Sequence, residues 1–149
     1  MLIAVERLRE VSKACRAGEP LDEELACWLG DCLSRFLDRA VTTFEEAFEL
    51  PSCHGGLPWW KEDRIRRRDA ALCELAAALP PDMSLTARAR EINRITVRYA
   101  ASAWRHDRRL DGMPVHYAGT PKEPVWRAFR AAAPMPLCER QLRNIIAGA

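Results

Sequence analysis

The stretch at residues 84–109, SLTARAREINRITVRYAASAWRHDRR, decides the fold. Its apolar side chains recur at the three- and four-residue spacing of an α-helix. They are Leu85, Ala89, Ile92, Ile95, Tyr99 and Ala103. Ser84 can serve as the N-cap, because its hydroxyl can accept a hydrogen bond from an early backbone N–H. The pattern predicts one long helix from Ser84 to about Arg109, with its apolar stripe in the core.

Helical patterns also occupy most of the chain before this stretch. Residues 2–16 and 21–37 are amphipathic and predict a helical hairpin that is interrupted near Pro20. Thr43 and Glu46 have the Ser/Thr-x-x-Glu spacing of a capping box, which predicts a short third helix. The first third of the chain is therefore expected to be helical.

A loop rich in Gly and Pro, PSCHGGLP at residues 51–58, breaks the helical pattern. A fourth helix is predicted after it, from about residue 60 to residue 79. An irregular connection is predicted over residues 110–124, because turn-forming residues dominate it. Two short helices are predicted after it, at residues 125–133 and 137–148, with Gly148 as C-cap of the second.

Charge is divided unequally along the chain. Residues 1–50 carry six basic and eleven acidic residues, a net charge of −5, whereas residues 51–149 carry 17 and 10, a net charge of +7. We expect one all-α domain over residues 1–149, a bundle of about six or seven helices. In it an acidic helical hairpin packs on a basic helical part at residues 59–149, with residues 51–58 as the joint. The opposite charges also favour a homo-oligomer, in particular a dimer.

Catalytic and metal-binding patterns are missing from the sequence. It holds no phosphate-binding Gly loop, no GxSxG, no HExxH and no CxxC. Cys53 and His54 adjoin in a loop with no supporting carboxylate, so we expect no enzyme, no metal and no cofactor. The six cysteines are too few for a secreted disulfide scaffold. We expect Cys27 and Cys32 to be buried and reduced.

The expected location is the cytoplasm. The N-terminal segment MLIAVERLRE meets a charge at Glu6, so it lacks the long apolar core of a signal peptide. No apolar run approaches the ~18 residues that span a membrane, and no membrane contact is expected.

A basic ridge is predicted on the long helix. At about 100° per residue, six arginines project within one sector of about 100°, opposite the apolar stripe. They are Arg90, Arg94, Arg98, Arg105, Arg108 and Arg109. Such a row can follow a phosphate backbone, although arginines on an amphipathic helix can also form an ordinary solvated face. Glu91 and Asp107 cannot neutralise all six arginines, so we expect the ridge to attract anions.

The last two predicted helices have the outline of a helix-turn-helix, although any two packed terminal helices share it. The side chains that would read base edges are those on the second helix, and their types suit that role. They are Arg140, Gln141, Arg143 and Asn144, next to Glu139. These residues are candidate nucleic-acid contacts.

A candidate partner-binding segment opens the fourth helix with two adjacent tryptophans. One of Trp59 and Trp60 is expected to pack on the first helical turn, and the other to cover the joint or anchor a partner. Arg64 and Arg67 belong to an arginine cluster that opposes the helix dipole. Nearby carboxylates, the acidic hairpin or an external anion can compensate these charges.

Three segments, GEPLDEELACWLGDCLSRFLD, RRRDAALCELAAAL and RYAASAWRHDRR, resemble a loose group of small bacterial proteins that are rich in Arg and Ala and have no assigned function. The resemblance covers most of the chain but implies no activity and no functional residues.

The sequence favours a non-enzymatic, small cytosolic regulatory or accessory protein whose basic surface contacts nucleic acid. The alternative is a protein–protein adaptor or an oligomeric structural protein, in which the basic face meets an acidic protein or the chain's own acidic hairpin. The two differ in whether the arginine ridge binds a phosphate backbone.

Overall fold

The computed structural model describes residues 3–50, 56–136 and 138–148, and every regular element in these ranges is helical. The α-helices are α1 (Ile3–Ala17), α2 (Glu23–Leu37), α3 (Phe44–Ala47), α4 (Trp59–Ala77), α5 (Leu85–Ala101), α6 (Trp104–Asp107), α7 (Lys122–Arg130) and α8 (Glu139–Ala147). A 3-10 helix at Val115–Tyr117 lies in the connection between α6 and α7. The predicted all-α class is confirmed. The described part of the chain has one helix more than the upper predicted number, because the long fifth helix is divided in two.

The chain divides into two compact units, residues 1–60 and 61–149. The boundary falls just after the predicted joint. Residues 51–55 of this joint, which include Cys53 and His54, lie outside the described ranges. The first unit has a net charge of −5 and the second +7. The division by compactness therefore coincides with the division by charge. That the acidic hairpin packs on the basic part stays a prediction.

Caps and an aromatic cluster organise the first unit. The Asp22 carboxylate accepts a hydrogen bond from the Leu25 N–H at 2.9 Å, which starts α2. The predicted capping box of α3 is confirmed, since Thr43 and Glu46 bind each other's backbone N–H groups. Phe48 is buried against the edge of the Trp28 ring, with the ring centroids 5.6 Å apart. This small core joins α2 to α3.

The cysteine prediction is wrong for Cys27. Cys32 is 4% exposed in the core of the first unit, whereas Cys27 is exposed. The reason is helical geometry, since Cys32 lies about 20° from the buried Leu25 around the helix axis and Cys27 about 160° from it. Of these two cysteines, Cys32 alone therefore acts as a small buried hydrophobe.

The core of the second unit forms around α5. Its largest fully buried side chains come from four helices. They are Leu72 and Leu75 of α4, Ile92 of α5, Val125 of α7 and Leu142 of α8. Ser84 caps α5 as predicted, because its hydroxyl accepts a hydrogen bond from the Ala87 N–H at 3.2 Å. Helix α5 packs chiefly against α8 and also against α6, which makes it the central element of the unit.

Helix α5 ends at Ala101, so its predicted continuation to Arg109 is wrong. The backbone of Ser102 leaves the helical region at φ −117° and ψ −94°, and its hydroxyl donates to the Arg98 carbonyl at 2.7 Å. In a straight helix Tyr99 and Asp107 would lie about 12 Å apart along the axis. The break lets the Tyr99 hydroxyl donate to the Asp107 carboxylate at 2.6 Å.

A buried polar cluster stabilises the chain after this break. Asp107, 4% exposed, accepts hydrogen bonds on one carboxylate oxygen from Tyr99 at 2.6 Å and from Tyr117 at 2.9 Å. The Tyr99 ring also packs edge-on against Phe129, at 5.1 Å between ring centroids. Because a buried carboxylate without donors costs several kcal/mol, these bonds hold the segment after α5 against the core.

Within the described parts of the chain, no helix combines the length and apolar character needed to cross a membrane.

The Asp107 cluster generates a prediction about stability. Tyr99→Phe keeps the ring but removes a hydrogen bond to a charged acceptor, so we expect the free energy of unfolding to fall by about 1.5–3 kcal/mol. Urea unfolding followed by far-UV circular dichroism measures this. A double-mutant cycle with Asp107→Asn isolates the pair, and independent, additive effects would contradict the role assigned to the hydrogen bond.

Candidate anion-binding site

The structure brings together three of the six arginines predicted to form the ridge. Arg90, Arg94 and Arg98 are exposed at successive turns of α5, each about 6 Å further along the axis. Arg105 lies on α6, and Arg108 and Arg109 follow the end of that helix. The continuous helix through Ser102 from which the six-arginine ridge was predicted is therefore wrong, and Arg90, Arg94 and Arg98 keep the predicted helical spacing.

Two of the three α5 arginines have carboxylate partners. A guanidinium nitrogen of Arg94 lies 2.5 Å from a carboxylate oxygen of Glu91. A guanidinium nitrogen of Arg90 lies 3.6 Å from a carboxylate oxygen of Glu139, at the start of α8. The hydrogen bond from Arg94 holds the pKa of Glu91 below its ordinary value, so this pair stays charged near neutral pH. Arg98 forms no ion pair with any carboxylate of the described residues.

A groove of about 460 Å³ runs between α5 and the start of α7. We call it the α5–α7 groove. Its lining consists of Arg94, Ile95, Arg98, Tyr99, Ser102, Ala103, Pro121, Lys122 and Val125. Three of these side chains are cations and none is a carboxylate, whereas much of the rest is apolar. The volume falls in the usual range of about 300–1,000 Å³ for ligand sites.

A second groove, of about 500 Å³, flanks α5 on the side of α8. Arg94 and Arg98 line both grooves, so their side chains form the divide between them. Glu139 also lines the second groove and contributes a negative charge there. The α5–α7 groove is therefore the more positive of the two.

The α5–α7 groove suits a ligand with both acidic and apolar groups. Guanidinium groups of Arg94 and Arg98 can donate charge-assisted hydrogen bonds to carboxylates or phosphates. Lys122 adds a point charge from the first turn of α7, where its ammonium lies 5.2 Å from the centre of the Tyr117 ring. Ile95 and Val125 can contact apolar parts of the same ligand.

The Asp107 cluster lies directly beneath this groove, since Tyr99 belongs to both. Burial, and then hydrogen bonding to Asp107, raise the pKa of Tyr99 well above its ordinary value. The same causes, in the same order, raise the pKa of Tyr117. Both phenols therefore remain neutral donors across the physiological pH range, and their bonds position the groove wall.

The predicted reading residues are exposed on α8, on either side of the buried Leu142. They are Arg140, Gln141, Arg143 and Asn144. The predicted helices at residues 125–133 and 137–148 leave a connection of only three residues, and this short turn is wrong, because eight residues separate Arg130 at the end of α7 from Glu139 at the start of α8. A helix-turn-helix has a turn of about three or four residues. Leu137, within this connection, lies outside the described ranges.

The predicted partner-binding segment opens α4. Trp59 is half-buried, whereas Trp60 is 41% exposed. Arg64 and Arg67 are exposed on the following turns of the same helix. The difference between the two tryptophans agrees with the expectation that only one of them packs closely.

The sequence pattern missed two parts of the site. Lys122 lies 24 positions after Arg98 in the chain, and nothing local pairs the two residues. Asp107, surrounded by arginines in the sequence, has the pattern of a surface acid. The two tyrosines, with Asp107 and Asp111 between them, were the available signal, but the pairing of the tyrosines with Asp107 depends on the break after α5.

Neither a metal-binding cluster nor a comparison with known proteins assigns a function to the site. In the ranges that the structure describes, no group of three or more His, Cys, Asp and Glu side chains could hold a metal ion. No protein-family model, no curated protein and no solved structure matches the chain.

The raised tyrosine pKa values generate a prediction about pH. Above about pH 10, the ordinary tyrosine pKa, the unfolded chain loses phenolic protons that the folded chain keeps. We therefore expect the free energy of unfolding to be undiminished below pH 10 and to fall as the pH rises above it. The slope is at most about 1.4 kcal/mol per pH unit for each tyrosine.

Denaturant unfolding at a series of pH values, with tyrosinate absorbance recorded in parallel, measures this slope. Tyr99→Phe should reduce it, since one titrating group is removed. Formation of tyrosinate by both residues at pH 10 in the still-folded protein would contradict the assignment.

Proposed function

We propose that the protein is a non-enzymatic binding protein, a small cytoplasmic regulatory or accessory module that recognises an acidic protein segment through the α5–α7 groove. The observation that carries the proposal is the combination of Arg94, Arg98 and Lys122 with an apolar lining that holds no carboxylate. Free thiols, including the exposed Cys15 and Cys27, support a reducing compartment.

An acidic polypeptide fits this groove better than a nucleic-acid backbone does. Phosphate contacts use cations, but they leave an apolar surface such as that of Ile95 and Val125 without a role. An acidic amphipathic helix offers both kinds of group, because its carboxylates and apolar side chains recur on adjacent faces.

Duplex nucleic acid is the second candidate ligand. Its support is the exposed α8 face with Arg140, Arg143 and Asn144, which together offer charged and amide donors. None of these residues lines the α5–α7 groove. The two candidates therefore use different side chains and can be separated by substitution.

The first binding prediction compares two ligands by fluorescence anisotropy. A labelled helical peptide of Glu and Leu should bind more tightly than a duplex of equal charge. The triple variant Arg94→Gln, Arg98→Gln, Lys122→Gln should weaken peptide binding by at least about tenfold, because each charge-assisted hydrogen bond contributes on the order of 1.5–3 kcal/mol.

A variant with the same loss of charge serves as the matched control. Arg105→Gln, Arg108→Gln, Arg109→Gln removes three arginines that line neither α5 groove and should leave peptide binding nearly unchanged. Equal losses in both variants would show non-specific charge attraction. Tighter binding of the duplex, weakened by Arg140→Gln and Arg143→Gln, would replace the adaptor function with nucleic-acid binding.

We further propose that the protein self-associates as a homodimer. The support is the coincidence of the two compact units with net charges of −5 and +7. Opposite charges on two copies attract, and the attraction is screened as the Debye length falls from ~10 Å at 0.1 M salt to ~3 Å at 1 M.

Light scattering at low and high salt measures the self-association. We expect twice the chain mass at low salt and a shift toward the monomer at 1 M salt. Reversing charge at the exposed Glu23 and Asp31 should weaken the dimer. A monomer at every salt concentration would remove this proposal without affecting the groove.

A further inference from the structure

A small pocket lies between α4 and α7, apart from both α5 grooves. Its volume is about 220 Å³, below the range of sites that enclose a drug-sized ligand. Arg67 and Glu74 of α4 line it together with Trp126, Arg127 and Arg130 of α7. It shares no lining residue with either α5 groove. A pocket of this size can hold one small group of a ligand.

The lining carries three arginines and one carboxylate, a net charge of +2. Arg127 is already occupied, because it pairs with Glu74 and lies 3.8 Å from Glu123. Arg67 and Arg130 pair with no carboxylate in residues 3–50, 56–136 and 138–148. Two guanidinium groups therefore remain available at the pocket.

Arg130 is held in place by weak contacts that leave most of its N–H groups free. One nitrogen lies 3.5 Å from the Asp111 carbonyl oxygen, at the outer limit of a hydrogen bond. Its guanidinium carbon lies 5.8 Å from the centre of the Trp126 ring, within the range of a cation–π contact. These contacts restrict the side chain without neutralising its charge.

Trp126 contributes a donor that the protein leaves unused. Its indole nitrogen is buried and has no hydrogen-bond partner among the described residues. An indole N–H can only donate, and a buried donor without an acceptor is destabilising. An acceptor supplied by a ligand would remove that cost. Two free guanidinium groups and the residue that carries the unused N–H thus line the same pocket.

We propose that this pocket binds the phosphate group of a small phosphate monoester. Such a group carries about −1.5 to −2 charges near neutral pH, which matches the net charge of the lining. Its three terminal oxygens can accept several hydrogen bonds from Arg67 and Arg130 at once, and one of them can accept from the Trp126 indole when binding uncovers that nitrogen, which is buried in the free protein. A carboxylate carries a single charge and two oxygens, so it would leave one donor group without a partner. The remainder of the monoester extends out of the pocket.

The experiment measures binding of two probes, inorganic phosphate and O-phosphoserine, by calorimetry, with acetate as the monoanionic comparison. Both phosphates should bind and acetate should bind more weakly. Arg67→Gln with Arg130→Gln should abolish phosphate binding. Trp126→Phe should weaken it by about tenfold or more, because one hydrogen bond to a charged group is lost.

The indole resonances in a proton–nitrogen correlation spectrum give a direct readout. The chain has five tryptophans, and the resonance missing from Trp126→Phe identifies the indole of this pocket. Phosphate should shift that resonance at concentrations that saturate the calorimetric signal. If Trp126→Phe fails to fold, the exposed Arg67 and Arg130 variants retain the test by calorimetry.

Arg16→Gln with Arg66→Gln is the matched control, since it removes two exposed arginines outside the pocket. Equal loss of binding in this control, no shift of the Trp126 resonance, or no binding of either phosphate at millimolar concentration would overturn the proposal. The groove variant Arg94→Gln, Arg98→Gln, Lys122→Gln should bind phosphate normally, so this site is tested independently of the acidic-peptide function.

Discussion

The buried carboxylate of Asp107 is the constraint on which the second unit depends. Because a buried charge needs donors, the chain must bring both of its tyrosine hydroxyls to one oxygen, Tyr99 from α5 and Tyr117 from the 3-10 helix. Meeting that requirement ends α5 at Ala101 and returns the chain to the core. Helix α7 follows the 3-10 helix in the chain. Its first residue, Lys122, then lines the same groove as Arg98.

Much of the fold could be predicted from the sequence because its determinants are local. Caps at Ser84 and Thr43 and the apolar stripes of the helices depend on neighbours within one or two turns. The end of α5 could not be predicted in this way, since the apolar spacing continues past Ser102 to Ala103. A hydrogen bond between side chains eight residues apart overrides that periodicity.

The candidate sites were less predictable, because they depend on which charges find partners. An exposed arginine has the same local pattern whether or not a carboxylate lies beside it. Glu139, which is 49 positions away in the chain, partly offsets the positive charge of Arg90. No carboxylate of the described residues does the same for Arg98. The unused indole of Trp126 has no sequence signature at all, since only the packing of α7 buries it.

Helix α7 contributes to both proposed sites, which has a mechanical consequence. It has nine residues, and Val125 and Ala128 fix one of its faces in the core. Lys122 in its first turn faces the α5–α7 groove, and Trp126 and Arg130 face the α4–α7 pocket. A close-packed interior resists small displacements, so a ligand that pulled either end of this short helix would move the other end with it. The helix is therefore the physical link through which occupation of one site could alter the geometry of the other.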